Sequence, residues 1–174
     1  MRFTPIALTP LLTVVLTLLM TIAVAATPFR SGHGYVITPP TGWTVETSGA
    51  LGTDVIFHAP PLHGFSAMIN AVIGKAPPGA TIDNTLAHVN KVYPQLFKGY
   101  KPVAQRSATL DGAKAFANLA NYQAGTPPRL LRMQQVAALK NGQLYIFTCT
   151  CLAADYSHSS AAFNAALKSI RWTK

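Results

Sequence analysis

The chain has 174 residues, with 14 Lys plus Arg against five acidic residues, a net charge of +9 and 49% hydrophobic residues. The cations are spread along the chain with no basic run, which excludes the stripe or cluster expected of a nucleic-acid binder. Such a charge instead favours solubility, an anionic membrane surface or an acidic partner.

The first segment, "MRFTPIALTPLLTVVLTLLMTIAVAATPFR", opens with Arg2, runs through a Leu/Val/Thr stretch and reaches Ala23-Val24-Ala25. A charged start, an apolar middle and small residues at −3 and −1 describe a secretory signal peptide over residues 1–25. The rival reading is an uncleaved anchor. The apolar run of residues 11–24 is short for that, because a bilayer span takes about 20 predominantly apolar residues. No cysteine lies near the cleavage site for lipid attachment. Residues 26–174 then form one domain with enough chain for a core, exported to the periplasm or secreted.

In the mature chain, "GYVITPPTGWTVETSG" reads as strand, turn and strand. "TDVIFHAPP" and "SAMINAVIGKAPPG" are two more strands, each closed by Pro-Pro, which cannot continue a ladder. "ATIDNTLAHVNKVYPQLFKG" changes period: Leu86, Val89, Tyr93, Leu96 and Phe97 share a helical face, with Thr81 or Asp83 as start signal and Pro94 expected to kink or divide the helix. Three strands follow, with turns at Asp111-Gly112, at residues 125–128 and at Asn141-Gly142. Asp-Gly and Asn-Gly supply the positive φ of type I′ hairpins and predict antiparallel neighbours. Asp155 precedes a final helical stripe of Phe163, Ala166, Leu167 and Ile170 and reads as its cap.

"LYIFTCTCLAADY" carries no charge across its strand. Tyr145, Phe147, Cys149 and Cys151 alternate with Leu144, Ile146, Thr148, Thr150 and Leu152, the pattern of a central strand covered on both faces. The expected fold class is α+β: one antiparallel sheet with helices on both faces, an α-β-α sandwich.

The only two cysteines, Cys149 and Cys151, admit three readings. They are buried packing beside Met133 and Phe116, a strained local disulfide, or a soft-metal or redox pair with His158 as a third ligand. Cysteine is among the most buried residue types. Residues i and i+2 of a strand lie roughly 6.5 Å apart, wider than a relaxed disulfide prefers. Thiolates suit Cu(I) and Zn. The histidines, at 33, 58, 63, 88 and 158, have no H-E-x-x-H companion.

Of the carboxylates, only Glu46 and Asp54 lack a turn or cap role. They carry no motif for acid–base work, and there is no G-x-S-x-G turn, P-loop or dinucleotide fingerprint. A non-enzymatic protein without cofactor is expected.

The order of elements resembles the PsbP-like superfamily, including the DcrB-type exported bacterial proteins. The resemblance rests on "YVITPPTGW" with Pro39, Gly42 and Trp43, on "TDVIFHAP", on the "TLDGAKAFANLANYQ" hairpin, and on "GQLYIFTCTCLAADY" leading to a helix ending in "SIRW". It covers about Gly34 to Trp172 and implies accessory, stabilising or binding proteins, most without enzymatic activity. The chain departs from lipoprotein relatives in lacking a lipobox cysteine.

The expected function is therefore contact with a protein partner or ligand in the cell envelope. Trp43, Leu62, His63 and Phe65, in and near "HAPPLHGF", are the candidate binding residues, because loops on a rigid scaffold carry recognition. Alternatives are metal or redox handling through Cys149 and Cys151, membrane-surface binding, and an immunity or inhibitor role against an envelope-acting toxin.

Overall fold

The computed structural model describes residues 26–173, so the signal-peptide reading of residues 1–25 lies outside the described residues. In chain order the elements are β1 (Phe29–Arg30), β2 (Tyr35–Ile37), β3 (Thr44–Glu46), β4 (Val55–His58), β5 (Met68–Lys75), α1 (Ile82–Leu96), β6 (Lys101–Leu110), β7 (Ala113–Ala124), β8 (Arg129–Lys140), β9 (Gln143–Leu152), α2 (Tyr156–Ser169) and β10 (Arg171–Trp172). The class is α+β. The strands form a seven-stranded antiparallel sheet, ordered β3-β4-β5-β9-β8-β7-β6, and a three-stranded sheet, ordered β1-β2-β10.

The large sheet follows local chemistry. Asp111 and Gly112 have φ of 44° and 80°, and Asn141 and Gly142 have 51° and 74°. Both pairs meet the backbone demand of a two-residue hairpin turn, and they register β6 on β7 and β8 on β9. Strand β9 occupies the middle of the seven. Its Tyr145, Phe147, Cys149 and Cys151 enter one core with Phe163, Ala166 and Leu167 of α2. Its Leu144 and Ile146 pack against a second cluster of Val89 from α1, Phe116 and Ala137.

Phe116 is thus not a neighbour of the cysteines, because it belongs to the other cluster. Met133 pairs in register with Thr150, not with a cysteine, and directly opposed residues share a face.

Helix α1 begins at a capping box. Asn84 N–H donates to Thr81 Oγ1 at 3.2 Å, and Thr81 N–H donates to Asn84 Oδ1 at 2.8 Å. Pro94 does not divide the helix, which ends two residues later at Leu96. A proline so near the C-terminus is tolerated as part of the stop. Leu96 is 67% exposed. Phe97 turns inward in its place, its ring 5.2 Å from Tyr93 and 5.0 Å from Tyr122.

Two expectations, a single sheet and a final helix running through "SIRW", are corrected by the small sheet. The strands around "PPTG" do not stay together: β2 pairs with β1 and β10, while β3 joins β4 at the edge of the large sheet. The final helix stops at Ser169, and Arg171–Trp172 is extended, paired with Val36 and Tyr35. The reason is tertiary. Trp172 Nε1 donates to Leu110 O at 2.9 Å, its backbone N–H donates to Asp111 Oδ2 at 2.8 Å, and its ring lies 4.8 Å from Tyr145.

Candidate functional site

The connection between β4 and β5 is a small hairpin of its own. Pro60 and Pro61 break the ladder, and Leu62 and Phe65 then exchange backbone hydrogen bonds of 2.9 and 3.0 Å. The two residues between them, His63 and Gly64, have φ of 49° and 68°. Glycine reaches that region without penalty, whereas histidine is held in it by its contacts.

Those contacts come from distant parts of the chain. Arg129 donates through Nη1 to Gly64 O at 2.8 Å and through Nη2 to His63 O at 2.6 Å, with its guanidinium 5.8 Å from the Phe65 ring. His63 Nδ1 pairs with Asp155 Oδ1 at 3.0 Å. The tip is therefore strapped both to the start of β8 and to the approach of α2. Asp155 does stand at the N-cap position of α2, but its side chain makes no cap hydrogen bond; it serves His63 instead.

Beneath this strap lies a cavity of ≈ 280 Å³. Trp43, Pro61, Leu62 and Phe65 wall it on the loop side, Ala162 and Ser159 on the α2 side, and Cys151 reaches its lining from β9. Trp43 is set edge-on to the buried Phe163, with ring centroids 6.2 Å apart. The lining is mostly apolar, with Asp155, His158, Ser159 and the Cys151 thiol as its polar groups.

The candidate residues named from the sequence divide accordingly. Trp43, Leu62, Phe65, Cys151 and His158 meet around this one cavity. His63 stands on its outer rim, holding the loop rather than lining the space. Leu62 and Phe65 are half-buried, not free-standing surface contacts.

Cys149 is fully buried in the core, and both cysteines are free thiols. Burial pushes the Cys149 thiol far up, with the neighbouring Cys151 adding to the effect. Burial likewise pushes the Cys151 thiol up to about 11, although the Ser159 hydroxyl and the Arg132 charge pull the other way. A thiol so raised holds its proton at neutral pH, and the thiolate is the nucleophile and the metal ligand.

The remaining carboxylates are separately engaged. Asp54 Oδ2 accepts from Ser31 Oγ and from the Tyr35 hydroxyl, each at 2.6 Å. Burial, then the Asp54 hydrogen bond, pushes that hydroxyl far up. Glu46 pairs with His58 at 2.9 Å, and the Ser48 hydroxyl followed by His58 holds its carboxyl down. Three residues had no claim from sequence: Arg129, Ser159 and Asp155 in its bonded role. The "LHGF" run was the one available signal, a His-Gly turn between two apolar residues.

No protein-family model matches the chain, and no curated protein matches it by sequence. Solved structures do. LpqN of Mycobacterium tuberculosis, described as involved in cell envelope biogenesis, superposes with a TM-score of 0.63 at 18% identity, covering 85% of this chain and 90% of its own. The cyanobacterial PsbP protein CyanoP from Synechocystis gives 0.62 at 15% identity, covering 87% and 95%. PA94 of Pseudomonas aeruginosa, a protein of unknown function described as a putative regulator, gives 0.60 at 18% identity, covering 83% and 94%. Agreement over nearly the full length of each partner, at identities that carry no functional inference, establishes that this chain has the PsbP-like fold.

Proposed function

We propose that this is an exported, non-enzymatic accessory protein of the cell envelope, and that the strapped cavity receives a single apolar anchor side chain of a protein partner. The observation that carries this reading is the convergence of Trp43, Leu62 and Phe65 on one mostly apolar space of ≈ 280 Å³. Ligand pockets usually measure about 300–1,000 Å³, so this one suits one side chain better than a whole cofactor. Protein interfaces concentrate their energy in such anchors, an aromatic or aliphatic group seated in a desolvated pocket. The envelope setting draws on the N-terminal segment and on the likeness to LpqN, a protein involved in cell envelope biogenesis. We also read the two helices as covering opposite faces of the large sheet. That reading is supported by the two clusters that alternate residues of β9 feed.

The test replaces Pro61, at the cavity wall, with a photo-crosslinking amino acid in cells expressing the full chain. A discrete envelope protein should be captured, and the cavity-filling Ala162→Phe variant, still folded by circular dichroism, should lose it. Capture that persists at full yield when the cavity is filled would overturn the anchor reading.

A second reading keeps one supporting observation: Cys151 and His158 line the same cavity. Metal or redox handling through the cysteine pair needs Cys149 as well, and that thiol is sealed in the core. Among the described residues, no group of three or more His, Cys, Asp or Glu is placed to hold a metal ion. Maleimide labelling of the folded protein decides this point. Rapid modification of both thiols would favour the metal or redox reading; protection of both would end it.

A further inference from the structure

On the other flank of α2 the large sheet runs on past the helix. Helix α2 packs chiefly on β9, β8 and β2, and a depression opens along it over β7 and β6, from Tyr156 to Lys168. Two open cavities of ≈ 330 and ≈ 340 Å³ adjoin there and share Arg106, Ala117, Gln134 and Asn164 in their lining, so they form one trough. Its floor is cut low by small residues, Ala108 and Ala117, and one wall is fixed by Gln134 Nε2 donating to Asn164 Oδ1 at 2.8 Å. None of these residues lines the strapped cavity.

The trough's charge is one-sided. Arg106 stands on β6 and Lys168 on the last turn of α2, and neither has an acidic partner among the described residues. Arg171 adds a third cation. It is held in place by its own bonds to Lys168 O and Ile170 O and by Asp111 at 3.9 Å. Asp111 is the only acid in the lining and already accepts from the Trp172 backbone.

We infer that this trough is a docking surface for an acidic, extended segment of another protein, its carboxylates meeting Arg106 and Lys168 and its small side chains resting on the alanine floor. Charge complementarity selects the occupant. A second copy of this chain is disfavoured, because it carries +9 and brings only five acids. Four of those acids are already engaged, by His58, by Ser31 and Tyr35, by Trp172 and by His63, and the fifth, Asp83, sits in the first turn of α1. A flat membrane surface would touch the rim and leave the recessed floor empty. The segment lies on the face rather than adding to the β6 edge. That edge is blunted by Lys101, Pro102 and a register break between Pro102 and Ala104, the devices that protect edge strands.

The probe is a synthetic peptide of alternating Glu and Ala, with its Lys-Ala counterpart, inorganic phosphate and phosphatidylglycerol vesicles as controls. The isotope-labelled protein is followed by amide chemical shifts at low and at physiological salt. Binding should move Ala108, Ala117 and Asn164, weaken as salt rises, and fall by about tenfold or more in the Arg106→Glu/Lys168→Glu double variant. The Arg106→Gln/Lys168→Gln variant repeats the measurement if charge reversal disturbs folding. Absence of binding, equal binding of the Lys-Ala peptide, an unchanged affinity in both variants, or the same shifts from phosphate or vesicles alone would each overturn the inference. Because the two sites share no lining residue, failure here leaves the strapped cavity standing, and the reverse also holds.

Discussion

The two flanks of α2 differ in how they are closed. At its N-terminal end, a proline-broken loop is pinned over an apolar cavity by Arg129 and by the His63–Asp155 pair. Along its other flank a trough with an alanine floor lies open between Arg106 and Lys168. One helix thus separates a mostly apolar cavity beneath a pinned loop from an open, cationic trough. The first is built for shape and desolvation, which act at short range. The second acts through charge, which gives approach and register more than affinity.

The largest effect should come from the core face of α2. Phe163 is fully buried under α2 and holds the Trp43 ring. Phe163→Ala should cost about 3–5 kcal/mol, as buried Phe truncations do, in a single chemical-denaturation transition. Two separate transitions would show the flanks to be independent units.

Alkali gives the next largest change. The thiols of Cys149 and Cys151, with an ordinary value of 9.0, and the hydroxyls of Tyr35, Tyr93, Tyr122, Tyr145 and Tyr156, with an ordinary value of 10.0, are all pushed up by burial. The unfolded chain gives up these protons first, so it binds fewer protons than the folded chain. Stability is therefore full below about pH 9 and falls as pH rises beyond it, by about 1.4 kcal/mol per pH unit for each group that titrates only when unfolded. Denaturant midpoints measured from pH 8 to 9.5 check this, and a flat profile would contradict the burial of these groups.

Loosening the strap sharpens the contrast further. Arg129→Ala removes two charge-assisted bonds to the loop carbonyls and should cost about 1 kcal/mol. Hydrogen exchange at Leu62 and Phe65 should accelerate while Ala117 and Asn164 stay unchanged. Unaltered protection of the loop would mean that the prolines and the Leu62–Phe65 bridge hold it unaided. Smallest of all, Arg106→Glu on the open flank should shift stability by no more than about 0.5 kcal/mol, since exposed surface changes rarely do more. A larger loss in the thermal midpoint would show that Arg106 supports the fold and is not held free for a partner.

Much of this was legible in the chain. The Asp-Gly and Asn-Gly turns located two hairpins, because they act through the backbone angles of the residues themselves. The uncharged β9 segment announced a central strand for a similarly local reason. The loop candidates Trp43, Leu62 and Phe65 were visible as apolar residues among turn formers. Their common destination was not, nor was the meeting of Cys151 and His158 with them. Asp155 looked like a helix cap because that is the usual use of the residue there, and its competing bond to His63 joins positions 92 residues apart.

Sequence by itself determined the antiparallel hairpins, the burial of β9, the capped start of α1 and the cationic balance of the chain, all consequences of period, turn angles and composition. Tertiary structure alone decided that Arg171–Trp172 leave the helix to pair with β2, that Arg129 reaches across to strap the β4–β5 loop, and that α2 stops short of β7 and β6. Periodicity states which face of an element is apolar, but not how far its neighbour extends over that face. The cavity and the trough are both set by where that cover ends.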